Sequence, residues 1–301
     1  MTFKKGIIIV LIFSNFLNLS GQETNTIDSI PTVKLKTITQ VNQGNSYITF
    51  PTDIGNIEPL MFEANLIPNF LIRKSKDSRL MGVLTGQIII RMYNEYSYPV
   101  KTPSYMPQIT AYYRLSDNAK IKQLSTFARF VHHSNGQDGN FFLDDGSINL
   151  ESGDFSTNYF EAGLTKTFYN TKFKAVQFFR TSFAYHPPKM SATELDGIYS
   201  FYRWNNSFSV FKLPEKAKNG KKKARLSLKA DATWMFGEVY DWNSISMNRL
   251  NVSFTAFYSP KFLEDIGFFM QFYHGMDYYN MYFNHQLDVL RFGIMTEILR
   301  F

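Results

Sequence analysis

Residues 121–136 read IKQLSTFARFVHHSNG, and within them His132 and Ser134 stand two positions apart. In a strand that spacing places both side chains on one face, with backbone positions roughly 6.5–7 Å apart, close enough for a hydrogen bond. A His that takes the proton of a Ser is the minimum for acyl transfer. Asn158, in the next alternating run, falls on the same face and at the same end. Its side-chain oxygen can orient His132, the role an Asp plays in other triads. The adjacent pair His132-His133 offers a metal little, because neighbours in a strand face opposite ways.

Leu124, Thr126, Ala128, Phe130, His132 and Ser134 share one face, while Gln123, Ser125, Arg129 and His133 mostly hold the other. Residues 156–168 alternate as Asn158, Phe160, Ala162, Leu164 and Phe168 against Tyr159, Glu161, Thr165 and Thr167. If the polar face lines a lumen, His132 and Ser134 point toward lipid near the external rim. That is a costly place for an imidazole and asks for a reason. The pattern alone leaves two readings open: a Ser-His site, or interfacial residues followed by a loop that opens at Asn135-Gly136.

The elements that must position these residues are strands. In 224–236, Leu226, Leu228, Ala230, Ala232 and Trp234 alternate with Arg225, Ser227, Lys229, Asp231 and Thr233. Residues 199–211 and 248–259 repeat the pattern, apolar on one face and polar on the other. Arg225, Lys229 and Asp231 on the enclosed face fit a barrel lumen better than the core of a packed sandwich. Twelve strands are expected, near 45–51, 61–73, 81–93, 106–115, 121–134, 156–168, 172–185, 199–212, 224–236, 248–259, 266–275 and 287–301. The fold class is therefore all-β, a twelve-stranded antiparallel transmembrane β-barrel over residues 45–301. With both termini periplasmic, short turns fall inside and the longer loops 94–105, 135–155, 186–198, 237–247 and 276–286 fall outside. The last strand departs from the rule, since Arg291, Glu297 and Arg300 leave neither face cleanly apolar.

Composition agrees. The 301 residues include 30 Phe, 18 Tyr and 3 Trp, and charged residues are only 19%, below the roughly 25% of soluble domains. A mean hydropathy of −0.22 is too polar for a bundle of membrane helices. The absence of Cys excludes thiolate chemistry and disulfides. Lys4-Lys5, the apolar run Ile7–Leu17 and Leu19-Ser20-Gly21 make residues 1–21 a cleaved signal peptide. That run is about half the ~20 residues a membrane-crossing helix needs. Residues 22–44 are expected to be an unstructured periplasmic lead-in, and the chain to be exported to the bacterial outer membrane. The formal charge is +7, and Lys216, Lys218, Lys221, Lys222 and Lys223 cluster without interleaved aromatics. They read as a solvated turn rather than a nucleic-acid site.

His132-His133-Ser134-Asn135-Gly136 resembles the His-x-Ser-Asn-Gly signature of the outer-membrane phospholipase A family. Further similar stretches are Ser97-Tyr98-Pro99-Val100-Lys101, Tyr105-x-Pro107-Gln108, Thr157-Asn158-Tyr159, and His274-Gly275 through Arg291-Phe292-Gly293-Ile294-Met295 to Phe301. The resemblance covers roughly residues 80–301. It implies a twelve-stranded barrel with a Ser-His-Asn triad on its outer face, active as a calcium-promoted homodimer on membrane phospholipid. Carried over, Ser134 is the nucleophile, His132 the base, Asn158 the residue that holds its tautomer, and the Gly136 amide an oxyanion donor. Ca2+ ligands are then Ser97 of a second subunit, the Gln137 carbonyl and a side chain just before the sixth strand. The sequence departs from the family there: the loop after Gly136 is longer, and Asp154 stands where a Ser is expected. Asp138, Asp144 and Asp145 add carboxylates to the same loop.

Two function classes follow. One is a calcium-dependent phospholipase of A1/A2 type, acting on acyl esters of lipids that diffuse to the outer face. The other is a non-catalytic barrel, a channel or a structural protein. The state of the lumen discriminates them, since Arg129, Glu161, Arg203, Arg225, Lys229 and Asp231 can pair and fill it.

Overall fold

The computed structural model describes residues 33–116, 122–213 and 224–296. The signal-peptide segment, Glu297, Arg300, Phe301 and the lysines at 216–223 lie outside the described residues. Ten long strands follow one another in antiparallel order: β5 (Leu80–Tyr93), β6 (Ser104–Arg114), β7 (Lys122–Ser134), β8 (Ser156–Asn170), β9 (Ala175–Tyr185), β10 (Tyr202–Lys212), β11 (Leu226–Phe236), β12 (Leu250–Tyr258), β13 (Ile266–Met276) and β14 (Gln286–Thr296). The remaining two wall positions are each filled by a broken strand. One is β1 (Tyr47–Thr49) continued by β2 (Ile54–Gly55), interrupted after Pro51; the other is β3 (Leu60–Leu66) continued by β4 (Asn69–Ile72), interrupted at Pro68. Proline has no N–H for the ladder, so both breaks fall where a continuous strand could not pair. β1 pairs with both β14 and β3, which closes a twelve-stranded barrel without edges.

Alternation sets the two faces. Leu226, Leu228, Trp204, Phe254 and Phe268 are exposed on the outside, while Ser207, Ser209, Ser227 and Ser253 are buried within. Arg291, which spoiled the pattern of the last strand, points inward and is wholly buried. Its guanidinium donates to Glu63 at 2.8 Å, and Glu63 also accepts from Arg91 at 2.6 Å. Arg91 in turn grips Asp277 with two bonds of 2.6 and 2.8 Å. Tyr47 and Tyr278 each donate to Glu63 at 2.6 Å.

One expectation is overturned. Part of the lead-in is a helix, α1 (Leu35–Gln43), seated inside the barrel at the short-turn end. Leu35, Ile38 and Val41 pack on Met81, Val83, Tyr112, Phe127, Val176, Phe178 and Phe211. Asn42 and Gln43 bond the wall at Thr165 (3.0 Å) and Thr110 (3.2 Å). A nine-residue helix is marginal alone, and here the barrel wall supplies the apolar contact that holds it. At the opposite end, Phe141, Phe155, Leu195, Tyr199, Met281 and Phe283 from three long loops form an apolar cap.

Candidate active site

β7 and β8 pair so that His132 lies directly opposite Asn158, and Ser134 opposite Ser156. The three candidate residues sit half-buried on the outer face, at the long-loop end of this hairpin. His132 Nδ1 is 3.0 Å from Asn158 Oδ1, and its Nε2 is 3.0 Å from Ser134 Oγ. Phe130 and Phe160 pack ring to ring at 5.1 Å one step further down the same face. His133 turns inward instead, buried with its ring edge-on to Phe155.

The hydrogen bonds fix the protons. Asn158 Nδ2 donates to the carbonyl of Met190 at 2.7 Å, which leaves its Oδ1 toward the histidine. An amide oxygen only accepts, so His132 must carry its proton on Nδ1. In the neutral imidazole Nε2 is then the acceptor nitrogen, facing the Ser134 hydroxyl. That is the tautomer in which a histidine can take a serine proton. The Met190 carbonyl has no signature in sequence; the Pro187-Pro188 pair, which fixes the turn before it, is the nearest signal.

Gly136 follows Ser134 in a left-handed conformation (φ 69°), exposed beside the Tyr105 ring. Asn135 makes this turn. Its Nδ2 donates to Gly153 O at 2.8 Å, and its Oδ1 accepts from the amides of Gln137 (3.3 Å) and Phe155 (3.0 Å). One buried side chain thus ties together both arms of the 135–155 loop.

The proposed cation ligands are brought together only in part. Gly139 N bonds Ser152 O and Asp154 N bonds Gly139 O, both at 3.0 Å, which holds the Gln137 and Asp154 arms side by side. Ser97 is exposed in a different loop, next to Tyr98 with its positive φ of 51°. The remaining carboxylates do not assemble. The Asp145 carboxylate accepts from the amide and hydroxyl of Ser147, which hold it below the usual range. Among the described residues, no three Asp, Glu or His side chains are grouped closely enough to hold one ion.

No protein-family model matches the chain, and no curated protein matches it in sequence. Solved structures do. The outer membrane phospholipase A from Escherichia coli superposes with a TM-score of 0.58 over 88% of this chain and 98% of that one, at 12% identity. This chain is a closed twelve-stranded antiparallel β-barrel of the same fold. An active-site Asn-to-Ala mutant of the same E. coli protein gives a TM-score of 0.56 over 92% and 95% of the two chains, at 11% identity. A Salmonella typhi outer membrane phospholipase dimer with bound calcium gives 0.56 over 92% and 96%, at 12% identity. At such identity the likeness speaks for the fold.

Proposed function

We propose that this protein is an outer-membrane phospholipase that hydrolyses acyl esters of membrane phospholipids of A1/A2 type. The observation that carries the reading is the outward-facing chain Ser134–His132–Asn158, with the histidine proton on Nδ1. Lipid reaches that surface by lateral diffusion and needs no pore. Ser134 Oγ attacks the ester carbonyl as His132 Nε2 takes its proton, and the Gly136 amide donates to the oxyanion. Collapse breaks the ester C–O bond, and His132 returns the proton to the departing lysophospholipid oxygen. Water, deprotonated by the same Nε2, then attacks the acyl-serine; the acyl C–O bond breaks, His132 returns the proton to Ser134 Oγ, and the fatty acid is released.

The Gln137 carbonyl and the Asp154 carboxylate would offer oxygen donors from the two arms of one braced loop, which suits a hard cation such as Ca2+. Two donors are too few, and Ser97 of a second copy is the further ligand, so the cation and a homodimer belong together. When bound, the ion adds positive charge beside the developing oxyanion.

The channel reading loses ground because α1 occupies one mouth of the lumen and the apolar cap of the long loops stands over the other. Full-length refolded protein in mixed phospholipid micelles is expected to release fatty acid with calcium and to stop in excess chelator. Ser134→Ala should abolish release. Release by Ser134→Ala equal to wild type would overturn the reading.

A further inference from the structure

The orientation of Asn158 depends on one main-chain carbonyl, that of Met190, so whatever fixes Met190 fixes the catalytic tautomer. Met190 ends a single helical turn (Pro188–Met190) in the loop after β9. That turn is pinned to β8 by a relay of side chains. Ser191 Oγ donates its one proton to Pro187 O at 3.2 Å. It must therefore accept from Thr157 Oγ1, 2.8 Å away. Thr157, having given its proton to Ser191, accepts in turn from His186 Nδ1 at 3.0 Å. The amide of Ala192 closes the join by donating to Ser156 O at 2.8 Å. Each hydroxyl donates once and accepts once, and the chain ends on a carbonyl.

The relay is rigid. Thr157 is wholly buried, one residue before Asn158 in β8. His186 is buried with its ring stacked on Tyr159 at 4.5 Å and edge-on to Tyr199 at 5.4 Å. Burial, with Arg203 nearby, holds the His186 imidazole well below its usual range, so it is neutral and can keep its proton on Nδ1.

We propose that His186, Thr157 and Ser191 are positioning residues: their hydrogen-bond relay holds the Met190 carbonyl on Asn158, and through it keeps His132 in the basic tautomer. The proposal rests on the phospholipase reading above and names three residues none of which touches substrate. It differs from simple loop stability in being silent once Asn158 is gone.

The test is a double-mutant cycle on full-length protein in mixed phospholipid micelles with calcium, reading kcat and KM separately. Thr157→Val, which keeps the shape and removes the hydroxyl, should lower kcat about tenfold with KM unchanged, the scale of one orienting hydrogen bond. Thr157→Ser should retain the wild-type kcat. In an Asn158→Ala background, Thr157→Val should cost nothing more, because coupled residues are not additive. Equal losses in both backgrounds, or an effect confined to KM, would overturn the relay. If Thr157→Val fails the heat-shift assay for folding, Ser191→Ala takes its place in the same cycle. An inactive wild type defeats the phospholipase reading itself, whereas an active wild type with additive variants defeats only the relay.

Discussion

The barrel carries two polar networks, and they solve opposite problems. Inside, Glu63, Arg91, Asp277 and Arg291 are charged, wholly or almost wholly buried and joined by bonds of 2.6–2.8 Å. Outside, Ser134, His132, Asn158 and the Met190 carbonyl are linked end to end with no carboxylate or guanidinium among them. A buried charge is tolerable when each is met by its opposite, as the lumen allows. A lipid-facing rim has no such partners, and a bare carboxylate there is costly. On the phospholipase reading, an amide as the third member orients His132 without placing a charge at the membrane edge. The loss is catalytic, since an amide does not neutralise the imidazolium as a carboxylate does.

Breaking the inner network should give the larger effect, and on stability alone. Glu63→Ala leaves the buried Arg291 guanidinium with only the Asp53 carboxylate, at 3.7 Å, and Arg91 with that of Asp277 alone, and should cost about 3–5 kcal/mol. A lower temperature for the heat-induced gel shift measures it, and fatty-acid release per folded molecule should stay at the wild-type level. Equal stability would mean that water enters the lumen and solvates the arginines.

Breaking the outer network should do the reverse. Asn158→Ala should reduce kcat by roughly 10–10³ with an unchanged heat shift, as befits a residue that orients a general base. Asn158→Asp sharpens the contrast. It keeps an acceptor for His132 but sets a second oxygen against the Met190 carbonyl and brings a charge to the rim, so its activity should fall between wild type and Asn158→Ala. Turnover in the same detergent and calcium ranks the three, and wild-type turnover in Asn158→Ala would remove Asn158 from the site.

Period two made the walls legible because lipid outside and a polar lumen inside impose the same alternation on every strand. It also brought His132, Ser134 and Asn158 to one face, since spacing of two and an antiparallel hairpin suffice for that. Arg291 keeps to the same rule, pointing into the lumen, where Glu63, 228 residues away, meets it, a pairing that period two alone does not reveal. Helix α1 escaped notice because Leu35, Ile38 and Val41 are too few to mark a helix until a barrel wall surrounds them. Met190 was invisible for a different reason: it acts through a carbonyl that every residue has.

On the phospholipase reading His132, not His133, activates Ser134 on the lipid-facing surface. The oxygen of an activated serine displaces fluoride from the sulfur of an alkyl sulfonyl fluoride, leaving a sulfonate ester on the serine and releasing HF, and peptide mass spectrometry locates the adduct. An adduct on Ser134 is expected in wild type and in His133→Ala, and none in His132→Ala. An adduct on Ser134 that persists in His132→Ala, or one lost in His133→Ala, would contradict it.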